Sequence, residues 1–213
     1  MAIVLDIETV ATDDAAKLVE PAKNLKDPEK IKASLQERLE GAAKYPFTAR
    51  PIAFGWCEEG EDIERVETCD GEASERHLLK EFIPRIWNGH GKDASQLLVT
   101  FNGLHYDLPL LMIRCRLLGV PCPQIDIRKY YTPHHDMLQR LTWNGELEWR
   151  SLTWFATVLG LDTSDAFSGK EIAQLYEEKN WDAIKAHCAS DVRLTRLVAE
   201  RWGVLKAPVR VAA

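Results

Sequence analysis

The run Ile3-Val4-Leu5-Asp6-Ile7-Glu8-Thr9-Val10 decides how the rest of the chain is read. Its β-branched and apolar residues predict a strand buried in a sheet. Strand side chains alternate between faces, so Asp6 and Glu8, two positions apart, project together from one face. Two like charges held side by side in a sheet are costly unless one acid stays neutral or a cation lies between them. A divalent metal ion removes that cost. The same residues also permit a plainer reading, in which the strand has left the sheet by Asp6, both acids are solvated and Thr9 opens a turn.

Working outward from that strand, the chain alternates strands with helices. Residues 11–50 are rich in charge and read as an inserted helical segment. Within it Asp27-Pro28-Glu29-Lys30 opens a helix patterned on Ile31, Leu35 and Leu39, with Asp27 as N-cap and Pro28 at the first helical position. Pro51 to Cys57 and Ile63 to Glu67 predict a hairpin around the Gly-containing link from Glu58 to Asp62. Leu78, Leu79, Phe82, Ile83, Ile86 and Trp87 recur at helical spacing and stop near Asn88-Gly89. Leu97 to Phe101 is a further short strand, and a helix runs from Asp107 through Leu118. This order predicts an α/β fold with a mixed sheet flanked by helices. From Asp136 onward the pattern is mostly helical, with Trp143, Trp149 and Trp154 supplying bulk. With no repeat or low-complexity linker, a single domain over residues 1–213 is expected.

A chain of 213 residues with 46% hydrophobic content is long enough for one substantial core. There is no apolar stretch long enough to span a bilayer, and the N-terminal run lacks a basic start and carries acids where a signal peptide cannot. A cytoplasmic protein without membrane association is expected. Five cysteines without a C-x-x-C pair predict reduced, packed thiols rather than a disulfide framework or a cysteine-rich zinc site. The formal charge of −6 excludes a general electrostatic attraction to nucleic acid. A polyanion must bind through a local basic patch or through metal.

Two further segments carry chemistry. In Val99-Thr100-Phe101-Asn102-Gly103-Leu104-His105-Tyr106-Asp107-Leu108-Pro109 a strand enters a Gly-containing turn and then a helix. Asp107, two residues before a proline, fits a helix N-cap. It also stands at a strand-to-helix junction, where ligands meet the edge of α/β sheets, and Asn102 adds an amide suited to phosphate or sugar. In the helical stretch Ala183 to Val198, steps of three and four place Ile184, Cys188, Asp191, Leu194 or Thr195, Val198 and Trp202 on one face. Asp191 thus falls in an apolar stripe, where an acid must be paired or ligated. His187, one turn earlier, faces the same region, as a packed residue or a reactive one.

The order D-I-E-T, F-N-G-L-H-Y-D-L-P and H-C-A-S-D-V resembles the three exonuclease motifs of the DEDD (DnaQ-like) superfamily of ribonuclease H-like 3′-5′ exonucleases, and most of all the proofreading domains of family-B DNA polymerases and their stand-alone relatives. Gly169-Lys170-Glu171 to Tyr176-Glu177-Glu178 is similar to the segment leading to that family's third motif. The resemblance implies a ribonuclease H-like mixed sheet. It also implies that Asp6, Glu8, Asp107 and Asp191 bind two Mg²⁺ or Mn²⁺ ions, hard cations that prefer oxygen ligands. In that scheme Asp6 bridges both ions, Glu8 and Asp191 serve the ion on the water side, and Asp107 holds the other mainly through its waters. The implied activity is hydrolysis of phosphodiesters from the 3′ end of single-stranded DNA, releasing nucleoside 5′-monophosphates. RNA is the alternative substrate, and a catalytically weakened module that binds nucleic-acid ends is the alternative role.

One position departs from the family. Its members orient the attacking water with a tyrosine four residues before the last aspartate or a histidine five residues before it. Here His187 stands at the tyrosine's spacing and Ala186 at the histidine's. Imidazole is suited to accept a proton at neutral pH, which makes His187 the candidate base. Thr9, Asn102, Leu104 and Tyr106 flank the motifs and are candidate contacts for the terminal nucleotide. Arg193, Arg196 and Arg201 serve either the strand or a solvated helix face, and Tyr45 and Phe47 either stack on bases or join the core. His134, His135 and Asp136 read as a structural turn rather than a second metal site.

Overall fold

In the computed structural model of the chain, which describes residues 2–86, 97–122, 134–164 and 172–206, strand β1 (Ala2–Ala11) runs through the middle of a five-stranded sheet. It is followed by α1 (Ala15–Leu18), α2 (Pro28–Glu40), a 3-10 turn at Ala42–Lys44, β2 (Ala49–Glu58), β3 (Arg65–Thr68) and α3 (Glu72–Ile86). Next come β4 (Leu97–Thr100), α4 (Asp107–Leu117), β5 (His134–Asp136), α5 (Met137–Leu141), α6 (Leu152–Val158), α7 (Ile172–Glu177) and α8 (Trp181–Arg201). The strand order is β3-β2-β1-β4-β5. β2 is antiparallel to both β1 and β3, whereas β4 is parallel to both β1 and β5, the mixed sheet that the element order predicts.

The alternation along β1 divides the core into two layers. Ile3, Leu5 and Ile7 pack with Phe54, Phe82, Leu108 and Leu111 beneath α3 and α4. Ala2 and Val4 pack on the other side with Val99, Met137, Val192 and Val198, and Val10 joins Ile52, Ile184 and Cys188. Asp6 and Glu8 share the parity of Ala2, Val4 and Val10, so they face α8. The plainer reading of these acids, a strand that has left the sheet, does not hold, because β1 stays paired with β2 through Ala11.

Helix α8 packs tightly on the sheet at Gly55. Gly55 lies opposite Asp6, and a Cβ there would stand 2.6 Å from Cys188 Sγ and 2.8 Å from Val192 Cγ2. Glycine in a strand marks such an approach of another element. A register shift follows at once: Glu8 pairs with Ala53 and Thr9 with Pro51, leaving Ile52 as the extra residue of a bulge in which Pro51 is tolerated. Replacing Gly55 with alanine is expected to cost about 1–3 kcal/mol of stability through overpacking. It is also expected to lift α8 away from Asp6. Urea unfolding beside the wild type measures the first effect, and an unchanged midpoint would show that α8 does not rest on this glycine.

On the opposite layer, Arg114 of α4 donates through Nε and Nη2 to the carboxylate oxygens of Glu75 in α3, at 2.6 and 2.7 Å, with both side chains buried. This two-pronged pair fixes α4, and with it Asp107, against α3.

Several expectations are borne out and others are corrected. Asp27 caps α2, accepting from the Glu29 amide at 3.0 Å, with Pro28 in the first turn. Yet no residue of α2 is buried, so its Ile31, Leu35 and Leu39 pattern does not face a core. The insertion is also shorter than 11–50, since Ala11 and Ala49 are still paired in the sheet. Trp143, Trp149 and Trp154, expected to supply core bulk, are exposed, as is Trp202, placed on the buried stripe by the helical pattern. Aromatic size signals burial only when another element covers the ring. His134 to Asp136 form a short strand. Trp87, Asn88 and Gly89, and Gly169 to Glu171, lie outside the described residues. None of the five cysteines is in a disulfide, and among the described residues no helix is long and apolar enough to cross a membrane.

Candidate active site

β1, the start of α4 and the middle of α8 bring Asp6, Glu8, Asp107, His187, Cys188 and Asp191 together. His187 Nδ1 lies 2.6 Å from Glu8 Oε1 and 4.0 Å from Asp191 Oδ2, with the imidazole only 2% exposed. Donor atoms of Glu8, His187 and Asp191 all lie within 4.8 Å of one another, as do those of Asp6, Glu8 and Cys188. The Cys188 thiol donates to the backbone carbonyl of Asp6 at 3.8 Å and to its carboxylate at 3.9 Å. Burial and the four surrounding acids push that thiol well above its usual range, so it stays protonated. Asp191 flanks the stripe rather than filling it: its side chain is 27% exposed, and Val192 on its other side enters the core.

Burial, then the charges of Glu8, Asp191 and Asp107, raise the Asp6 carboxyl well above the carboxylate range. Burial likewise raises Asp107 to about 8, with Asp136 and Glu8 adding to the effect while hydrogen bonds from its own amide and that of Ile7 oppose it. Both acids are thus more basic in the folded chain than in the unfolded one. Between an ordinary carboxyl pKa and about 8, the folded state therefore binds more protons, and the stability these groups allow is full at low pH and lost as pH rises. In chelator, the stability gained by Asp107→Asn over the wild type is expected to grow from pH 5 to about 8. Thermal unfolding at several pH values measures it, and a difference independent of pH would show that Asp107 ionises freely without metal.

The turn that delivers Asp107 is locked from a distance. Asp136, at the start of α5, accepts from the amides of Asn102 at 2.9 Å, Leu104 at 3.0 Å, Leu138 at 3.0 Å and Gln139 at 3.3 Å. It caps α5 and holds the turn after β4 at the same time. Asn102 adopts φ 66°, the left-handed conformation asparagine tolerates, and its side-chain oxygen is buried with no hydrogen-bond partner among the described residues. At Gly103 a Cβ would stand 2.2 Å from Thr100 Oγ1. Asp107 is not the N-cap its spacing suggests. It is the first helical residue, after Tyr106, which makes no side-chain cap. Side-chain capping is seen instead at α5, where Asp136 performs it, a residue the sequence marks only as part of a turn.

Thr9 and Tyr106 meet at the inserted segment. Thr9 Oγ1 donates to the Ala43 carbonyl at 2.8 Å and lies 2.6 Å from the Tyr106 hydroxyl, which also donates to Ala43. Both side chains therefore tie the insertion to the rim of the acid cluster. Leu104 is half-buried against the core. Arg196 is buried among Asp62, Glu64 and Glu200, and Arg193 donates to the carbonyl of Asp162, whereas Arg201 is exposed. Tyr45 and Phe47 are exposed rather than core, with ring centroids 5.7 Å apart. Burial depresses His134 to about 3 and His135 to about 4. His134 Nε2 meets Thr100 Oγ1 at 2.8 Å, and neither histidine joins a metal-capable group among the described residues.

Two residues that shape the site were missed from sequence. Gly55 carried a signal, since a lone glycine inside a strand marks close approach. The bonds of Asp136 to the turn at Asn102 carried none, because they join residues 32 and 34 apart in the chain.

Residues 47–211 match the model of a family described as predicted 3′-5′ exonucleases related to the exonuclease domain of PolB. The chain belongs to this family. The match takes in Asp107, His187 and Asp191 and begins after Asp6 and Glu8. Among solved structures, the chain is similar in fold to the family B DNA polymerase from the hyperthermophilic archaeon Pyrobaculum calidifontis, with a TM-score of 0.62 and 16% identity. That likeness covers 94% of this chain and 24% of the polymerase, so the chain spans about a quarter of the polymerase's length. At this identity the likeness speaks for the ribonuclease H-like fold. No curated protein matches the chain.

Proposed function

We propose that the protein removes nucleotides from the 3′ end of single-stranded DNA by metal-dependent hydrolysis, releasing nucleoside 5′-monophosphates. The observation that carries this reading is the convergence of Asp6, Glu8, Asp107 and Asp191, with Asp6 and Asp107 raised by burial and mutual repulsion. Such a set cannot be fully ionised near neutral pH without cations among its members. Its donor chemistry fits Mg²⁺ or Mn²⁺, since carboxylate oxygens suit hard ions and the one thiol present is protonated. Two such ions lower the pKa of a bound water, clamp the phosphate and stabilise the leaving oxygen.

The four carboxylates hold the ions in this proposal. The 2.6 Å contact of His187 Nδ1 with Glu8 Oε1 orients the imidazole at the acid cluster, and in this proposal that ring takes the proton of the attacking water. The enclosed position of the acids favours an unpaired end, which reaches them without the cost of melting a duplex. End-labelled single-stranded and duplex DNA, and matching RNA, incubated with Mg²⁺, Mn²⁺ or chelator, test the proposal. The expected result is a ladder shortening from the 3′ end, fastest on single-stranded DNA and absent in chelator. Release from the 5′ end, or undiminished activity in chelator, refutes it, and faster loss of RNA transfers the proposal to that substrate.

A further inference from the structure

Downstream of α5 the chain makes a turn that displays tryptophans, one of them against His105, two residues before Asp107. Trp143, Asn144 and Gly145 are held in succession at φ 51°, 62° and 91°, a conformation bulky residues seldom adopt. Amides of Gly145 and Leu147 close the turn on the Thr142 carbonyl at 3.1 and 3.0 Å. The returning chain sets the Trp149 ring against His105, with centroids 5.3 Å apart. Ser151 then caps α6 through the Trp154 amide at 3.2 Å, and the Arg150 guanidinium lies 5.8 Å from the centre of the Trp154 ring. Trp149 and Trp154 are 48% and 46% exposed, and His105 is exposed as well.

We propose that His105, Trp149, Arg150 and Trp154 form a stacking platform for the unpaired polynucleotide strand whose 3′ end enters the acid cluster. The proposal rests on the exonuclease reading above for the direction of the strand. Three observations select this occupant. The platform is continuous with the site, because His105 lies between Leu104, bonded to Asp136, and Tyr106, bonded to the Ala43 carbonyl, two residues from Asp107. Flat rings beside a guanidinium suit alternating bases and phosphates, and stacking on aromatic rings tolerates every base. Finally, a chain of formal charge −6 has no general attraction for a polyanion, and Arg150 is itself paired with Glu148 at 2.5 Å. Away from the metal-binding acids, strand affinity therefore comes largely from contacts that are not ionic.

Binding of a 5′-fluorescein-labelled oligodeoxythymidylate, followed by anisotropy on the full chain in chelator, tests the platform without turnover. Trp149→Ala and Trp154→Ala are each expected to weaken binding on the order of 5- to 100-fold, by the usual worth of one stacked base. The fold-change should be the same at low and high salt, and Trp149→Phe should restore most of the affinity. Circular dichroism establishes that each variant is folded. Unchanged affinity in the folded alanine variants overturns the platform, even where the wild type degrades DNA, as does a wild type that does not bind. Self-association of the wild type that is lost in Trp149→Ala, with strand affinity unchanged, also overturns it and makes the rings a contact between copies of this chain. Conversely, tryptophan-dependent binding by a protein that hydrolyses no strand would support the platform and defeat the exonuclease reading.

Discussion

Replacing Asp6 with asparagine is expected to lower nuclease activity by roughly three orders of magnitude or more, since metal-ion stabilisation of a transition state is worth several kcal/mol and each factor of ten is about 1.4 kcal/mol. Asparagine nearly preserves the shape of the side chain and removes its charge. Because Asp6 is raised by burial and by Glu8, Asp191 and Asp107, the metal-free variant should unfold at the same or a higher temperature than the wild type. Asp191→Asn is expected to behave similarly, with a smaller gain in stability because its side chain is partly exposed. Divalent cation should raise the unfolding temperature of the wild type more than that of either variant. Rates on a labelled single strand, with thermal unfolding in chelator and in Mn²⁺, measure these effects. A variant that loses stability while its folded fraction stays fully active would make these acids structural.

The second large effect is expected at His187. If its imidazole accepts the water's proton, His187→Ala should lose roughly 10²- to 10⁴-fold in rate, the usual worth of a general base. The bond to Glu8 at 2.6 Å offers a competing role, in which His187 only holds that carboxylate in place. His187→Gln separates the two, because an amide still donates to Glu8 but cannot take a proton. A base predicts that glutamine fares as badly as alanine, and that the rise of rate with pH seen in the wild type disappears from both variants. A positioning role predicts that glutamine recovers most of the rate with the pH profile unchanged. His187→Tyr restores the spacing of the tyrosine-bearing relatives and should recover part of the loss if the enclosed site admits the longer ring. Since the histidine is buried, the stability of each variant must be measured beside its rate.

Local spacing carried much of this protein. Period two placed Asp6 and Glu8 on one face of β1, and steps of three and four placed His187, Cys188 and Asp191 on the inner side of α8. Asp27 and Pro28 announced the start of α2 because a cap acts on amides two or three residues away. Such signals are legible because cause and effect lie within one turn or one pleat. Where the pattern misled, it misled about coverage. The apolar residues of α2 and the tryptophans of the 143–154 region have the composition of a core, but none of them is buried among the described residues.

What the sequence by itself marked is therefore most of the order of strands and helices and the four acids, Asp6, Glu8, Asp107 and Asp191, proposed to hold metal. Only the tertiary structure decided that Glu8 bonds to His187 across 179 residues and that Cys188 reaches Asp6 across 182. It also decided that Asp107 is the first residue of α4 rather than its cap, that Asp136 caps α5, and that Thr9 and Tyr106 fasten the insertion at Ala43. The physical reason is that these contacts depend on how closely two layers approach, and Gly55 lets α8 come close to β2 opposite Asp6. Periodicity shows which way a side chain points, whereas the partner it meets depends on the packing of chain segments far apart in sequence.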